Sequence, residues 1–190
     1  MAVQIQTDKR LFNIREYHQM SKAGILSEDE RVELIEGEIR RMSPIGSHHV
    51  GCVNRLSAIL NRLAGAQAIV SVQNPILLGD ASEPQPDIAL LHARPDFYSD
   101  SLATPKDVIL LIEVSDTTAH DDRQKKVPLY ASWGIPSLWI VDLTAGIVEV
   151  YTHPMNDNYV QVEKLEVGQQ IDIPGIDGAT MSVDYILGRA

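Results

Sequence analysis

The chain has 190 residues, 44% hydrophobic and 22% charged, with 12 Gly and 10 Pro, values of one globular domain with a sizeable core and not of a disordered or collagen-like chain. The longest apolar run of its second half, residues 108–112, stops at Glu113, residues 1–10 lack the apolar run of a secretory signal, and Cys52 is the single cysteine; membrane spans and intrachain disulfides are thereby excluded and a reducing cytoplasm is expected. With 16 Lys+Arg against 26 Asp+Glu the net charge is −10, a field that repels nucleic acid unless a local basic patch or bound metal ions offset it.

Residues 13–23 read as a first helix, with Asn13 as N-cap, a partial stripe of Ile14, Tyr17, His18 and Met20, and Gly24 as the stop. Ser27 and Glu30 have capping-box spacing, and the apolar positions Val32, Leu34, Ile35, Ile39 and Met42 then predict a strand pair hinged at Glu36-Gly37. Ser43-Pro44-Ile45-Gly46 breaks the chain, after which Val53, Leu56, Ile59, Leu60 and Leu63 recur every three or four positions from His48 to Gly65, the clearest helix of the sequence. Residues 68–78, with Pro75 inside, predict a strand with an edge or bulge, and residues 87–91 a second short strand. Residues 108–114 are almost wholly apolar, the pattern of a central strand covered on both faces. Residues 121–133 predict a helix that Pro128 kinks or shifts. Residues 138–143 and 147–151 form a hairpin about Thr144-Ala145-Gly146, and the tail from Tyr159 reads as further edge strands. Trp133, Trp139 and Tyr151 are assigned to the core in preference to an interface.

One carboxylate is costly in this scheme. Glu113 ends the apolar run, and a buried carboxylate must find a cation, reach solvent or become neutral. A salt bridge or a strand end explains it as well as a metal ligand does. Asp87 opens the preceding strand, and acids on adjacent strands about 4.8 Å apart can share one divalent cation. A lone Pro-Asp is more often a turn residue capping its own backbone. Asp122, Lys126 and Tyr130, at i, i+4 and i+8, share a helix face. Such a row is commonly solvated, yet an ammonium near two metal-bound carboxylates could position water or stabilise phosphoryl charge.

The ordered set Glu-Pro-Gln-Pro-Asp (83–87), Leu-Leu-Ile-Glu-Val-Ser-Asp (110–116), Asp-Arg-x-x-Lys-x-x-Leu-Tyr-Ala (122–131) and Gly-Ile-Pro-Ser-Leu-Trp-Ile-Val-Asp (134–142) resembles the Uma-two family of restriction-endonuclease-like proteins, within the PD-(D/E)xK nuclease superfamily. Upstream, Arg-Val-Glu-Leu-Ile-Glu-Gly-Glu-Ile (31–39) and Met-Ser-Pro-Ile-Gly-Ser-His-His (42–49) extend the resemblance over most of the chain. It implies an α/β (α+β) restriction-endonuclease-like core, a mixed β-sheet flanked by helices, in which Asp87 and Glu113 hold Mg²⁺, or Mn²⁺, for phosphodiester hydrolysis. The superfamily lysine two residues after the second acid is here Ser115, and the resemblance implies that Lys126 on the following helix replaces it, with Lys125 ranked second. Glu33 and His49 match family positions as a third acid of the site and a polar site residue, a structural role being at least as good a reading of each.

The leading expectation is therefore a Mg²⁺-dependent DNA endonuclease with Asp87 and Glu113 as metal ligands and Lys126 and Glu33 beside them. Two readings compete with it: a nuclease-fold binding or interaction module that does not cleave, which the net charge and Ser115 favour, and a metal-dependent hydrolase of another phosphate ester. Zinc is disfavoured because His48 and His49 are adjacent without Cys/His ligand spacing. A homodimer would suit cleavage of both strands.

Overall fold

Strand β5 (Val108–Ser115) is the centre of the computed structural model, which describes residues 9–27, 29–116 and 119–189, with the backbone alone at residues 119–121. In chain order come α1 (Ile14–Lys22), β1 (Val32–Ile35), β2 (Glu38–Arg41), α2 (Ser47–Ala64), β3 (Ala68–Val72), β4 (Ile88–His92), β5, α3 (Ala119–Ser132), β6 (Ser137–Asp142), β7 (Ile147–Met155), β8 (Asn158–Glu166), β9 (Gln170–Asp172), β10 (Thr180–Ser182) and α4 (Val183–Leu187). The main sheet has the order β3-β4-β5-β6-β7-β8. Its pairs are antiparallel except β5–β6, and that parallel pair requires the crossover that α3 provides.

All eight residues of β5 are buried, and their alternation divides the molecule. Leu110, Ile112 and Val114 pack with Cys52, Leu56 and Leu60 of α2 and with Ile171, Met181 and Ile186 of the C-terminal elements. Leu111 packs on the opposite face with Val127, Leu129, Tyr130 and Ala131 of α3. A strand sandwiched this way has no solvent face, which is why its sequence is a continuous apolar run. Glu113 and Ser115 share the parity of Leu111 and so point toward α3.

The β1–β2 hairpin is a separate two-stranded sheet. Its turn is left-handed at both central residues, Glu36 at φ 50° and Gly37 at φ 79°, the twist that a two-residue hairpin favours. A Cβ at position 37 would stand 2.7 Å from the Cβ of Leu11, so glycine is required there on two grounds. The hairpin is tied to the segment leading into β4, with Glu83 N–H donating to Leu34 O and Gly37 N–H to Ala81 O, each at 2.7 Å. That lashing sets the hairpin over the end of the sheet that carries Asp87.

Several expectations are corrected. The strand expected over residues 68–78 stops at Val72, because Gln73 turns left-handed at φ 52°; Ile76 and Leu78 keep only isolated bridges. The Ser27–Glu30 pair makes only half of a capping box, with Ser27 N–H on Glu30 Oε2 at 3.3 Å while Ser27 Oγ accepts from the Asp29 N–H at 3.3 Å, and the expected strand pair follows it. Helix α3 starts at Ala119, two residues before the expected start, and continues past Pro128 to Ser132. Only β8 of the tail is an edge strand of the main sheet; β9 and β10 pair with each other and α4 follows them. Trp139 is fully buried as expected, whereas Trp133 is 42% exposed, its ring lying against Gly79. Among the described residues no helix is long and apolar enough to cross a membrane.

Candidate active site

Ile88 pairs with Ile112 in the antiparallel β4–β5 ladder, so the next positions outward, Asp87 and Glu113, face each other across neighbouring strands about 4.8 Å apart. Both are buried, 8% and 3% exposed. Asp87 is fixed by three donors: His49 Nε2 and the Val114 N–H reach Oδ2 at 3.0 and 2.9 Å, and Gln73 Nε2 reaches Oδ1 at 3.2 Å. Burial alone would raise its pKa, and these hydrogen bonds, with His49 foremost, outweigh it and hold the carboxyl below its ordinary value. His49 comes from the first turn of α2, and its other ring nitrogen, Nδ1, is buried without a partner among the described residues.

Glu113 is treated oppositely. Burial pushes its carboxyl up to about 8, opposed by the Lys126 ammonium and reinforced by the negative charges of Asp87 and Asp122. Lys126 Nζ lies 3.0 Å from Glu113 Oε2 and 3.8 Å from Glu33 Oε2, and Tyr130 O–H donates to Glu113 Oε1 at 2.7 Å. Ser115 O–H donates to Asp122 Oδ2 at 2.5 Å. The row of Asp122, Lys126 and Tyr130 is thus turned inward onto β5 and is not a solvated face. Ser115 is occupied in holding Asp122, while Lys126 reaches Glu113 from α3. Glu33 Oε2 also accepts the Gln85 N–H at 3.2 Å, which binds the third acid to the Glu-Pro-Gln-Pro-Asp segment.

These groups open into a cleft of about 530 Å³ whose lining includes Glu33, His49, Asp87, Glu113, Lys125 and Lys126. A carboxylate offers roughly four acceptor positions. Asp87 uses three and Glu113 two, so each retains a lone pair for a cation. Among the described residues no group of three or more His, Cys, Asp or Glu is gathered as an ion cage. The two facing carboxylates could hold a cation, since one or two carboxylates completed by waters and phosphate oxygens are what Mg²⁺ takes.

The structure brings together every residue that the sequence singled out: Asp87, Glu113, Lys126 and Glu33, with His49, Asp122 and Tyr130 around them and Lys125 on the cleft wall. Sequence reasoning missed Gln73, which follows a strand end that the pattern does not show, and Arg40. The latter was within reach, because the two-residue turn at Glu36-Gly37 fixes the register that sets Arg40 across from Glu33.

A second charged cluster lies outside the cleft on the same helix. Arg123 Nε and Nη2 donate to Glu149 Oε2 at 2.6 Å and Asp142 Oδ2 at 2.8 Å. Lys164 and Tyr151 complete the contacts of Glu149, at 2.8 and 2.9 Å. Burial would raise Glu149, but the hydrogen bonds from Arg123, Lys164 and Tyr151 hold it below its ordinary value.

No curated protein matches the chain. Among solved structures, a "putative nuclease belonging to DUF820" from Anabaena variabilis superposes with a TM-score of 0.72 at 17% identity, covering 94% of this chain and 98% of that one, a likeness of fold. A second, with a TM-score of 0.42 at 16% identity over 78% of this chain and 17% of that chain, is the type IIG restriction endonuclease BpuSI, too remote to carry an argument. The family model described as "putative restriction endonuclease" matches residues 14–184, which include both strands and the helix that build the cleft, and the chain belongs to this family, Uma2.

Proposed function

We propose that the protein is a metal-dependent endonuclease that hydrolyses DNA phosphodiester bonds, with Mg²⁺ or Mn²⁺ held by Asp87 and Glu113. The observation that carries this reading is the buried Glu113 carboxylate, pushed up to about 8 and facing Asp87 at the floor of a cleft. A buried acid that stays raised despite the ammonium of Lys126 is unfavourable, and perturbed acids in a cleft are where chemistry is expected. When bound, the cation supplies Lewis acidity toward water and phosphate oxygens. Asp87, locked by His49, Val114 and Gln73, presents a fixed oxygen, while Tyr130 sets the angle of Glu113. Lys126, held between Glu113 and Glu33, places its ammonium where a water can be oriented or the charge on the phosphoryl group stabilised.

The test is nicking of supercoiled plasmid in Mg²⁺ and in Mn²⁺ by the wild type, Asp87→Ala and Glu113→Ala. Metal-dependent nicking by the wild type alone is the expected result. Cleavage at the wild-type rate by either variant would overturn the assignment. The proportion of linear to nicked product reports whether both strands are cut together, as a two-fold pair of chains would do.

A further inference from the structure

The chain's negative charge leaves open what in it could hold a polyanion, and the hairpin supplies a specific answer. Five of the 16 Lys+Arg residues line this one cleft, Arg31, Arg40, Arg41, Lys125 and Lys126, in a chain of net charge −10. Arg40 is singled out among them by three observations. It pairs with Glu33 in the β1–β2 register and therefore shares its face, beside the acid that lies 3.8 Å from Lys126. Its Nε is buried and has no hydrogen-bond partner among the described residues, a state that costs free energy and is rare in folded proteins. Its Nη2, on the same edge of the guanidinium as Nε, is bonded to Glu38 Oε2 at 3.0 Å. The Nε/Nη2 edge is the fork that grips two oxygens of a phosphate. Here one tine is idle and the other is bonded to a carboxylate that can let go without being orphaned, because Glu38 Oε1 is paired with Lys9 at 2.8 Å.

Resting on the nuclease reading above, we propose that Arg40 is the phosphate anchor of the cleft. It exchanges Glu38 for a backbone phosphate of the nucleic-acid strand and so positions that strand against Asp87 and Glu113. Arg31, immediately before β1, and Arg41 of β2 also line the cleft. The phosphate satisfies the buried Nε, and the fork fixes the strand's orientation without reading its sequence.

The experiment measures binding separately from cleavage. Fluorescence anisotropy of a labelled DNA duplex, with Ca²⁺ replacing Mg²⁺, is followed over a KCl series for the wild type, Arg40→Ala, Arg40→Lys and Glu38→Gln, with plasmid nicking in Mg²⁺ run in parallel. Arg40→Ala is expected to weaken binding about tenfold or more and to reduce the slope of log K against log salt by about 0.9, the loss of one phosphate contact. Arg40→Lys keeps the charge without the fork and should fall between the two. Glu38→Gln frees the fork and should tighten binding, a gain that misfolding cannot imitate. Binding unchanged by Arg40→Ala and by Glu38→Gln would overturn the anchor while leaving the nuclease reading intact if the wild type still nicks plasmid. Absence of wild-type binding would also overturn it, and only if nicking were absent too would the nuclease reading fall with it.

Discussion

Helix α3 carries two cations inward, Arg123 and Lys126, three residues apart, and the buried glutamates they meet, Glu149 and Glu113, are shifted in opposite directions. Around Arg123 the charges close on themselves: Glu149 receives Arg123, Lys164 and Tyr151, Asp142 receives Arg123 and the Ala145 N–H, and Glu149 is held below its ordinary value. Around Lys126, Glu113 and Glu33 share one ammonium with Asp87 close by, and burial drives Glu113 up to about 8. A network with enough cations for its acids behaves as a bolt between helix and sheet. One in which a single ammonium serves two buried acids, and which opens into a cleft, leaves Glu113 raised, and in the proposed function a divalent cation is what relieves it.

The contrast can be broken most severely at the acids themselves. Asp87→Ala or Glu113→Ala should reduce metal-dependent nicking to the background of the metal-free reaction, whereas Glu149→Gln should leave nicking in place, as read by plasmid cleavage at matched protein concentrations. Thermal melting sharpens the comparison next. Glu149→Gln removes an acceptor of charge-assisted hydrogen bonds and should cost about 1–3 kcal/mol, at roughly 2–4 °C per kcal/mol for a chain this size. Glu113→Gln removes a carboxylate that burial disfavours but also the 3.0 Å partner of Lys126, whose ammonium keeps Glu33 at 3.8 Å, so the midpoint should fall by less than for Glu149→Gln. A drop for Glu113→Gln as large as that for Glu149→Gln would show that the two clusters are alike.

Acid titration separates them further. Because the folded-state pKa of Glu149 lies below its ordinary 4.5, the unfolded chain binds its proton first as pH falls. Its contribution to stability is fully present above the ordinary value and is lost as pH falls through the folded one. The stability gap between wild type and Glu149→Gln, from urea unfolding, should therefore be widest above about pH 5 and narrow below it. The smallest effect belongs to Lys164→Ala: its side chain is 64% exposed, so its pairing with Glu149 should be worth only about 0.2–1 kcal/mol, less in high salt.

Local chemistry was legible in the sequence wherever it sufficed to decide the structure. Glu36-Gly37 demanded a left-handed turn and so announced the hairpin; the spacing of Val53, Leu56, Ile59 and Leu60 announced α2; the apolar run ending at Glu113 announced both a central strand and its costly acid. The row of Asp122, Lys126 and Tyr130 was legible as a face but not in its direction. Whether it meets solvent or β5 depends on the parity that turns Glu113 and Ser115 toward α3, which is a tertiary fact. The Arg123 cluster joins residues 19 and 26 positions apart across α3, β6 and β7 and leaves no local pattern. Gln73 reaches Asp87 because the chain turns left-handed one residue past β3, and a non-glycine residue gives no warning of that. Trp133 was assigned to the core on its residue type, and its half-exposed seat against Gly79 reflects a position at the end of α3 that composition does not encode.

The most direct test of the central claim, that Asp87 and Glu113 form a pair that takes a divalent cation, is isothermal titration of Mn²⁺ into the wild type, Glu113→Gln and Glu149→Gln. The expected result is binding by the wild type and by Glu149→Gln, with binding lost in Glu113→Gln. Binding that persists undiminished in Glu113→Gln would contradict it and would make Glu113 a structural acid like Glu149.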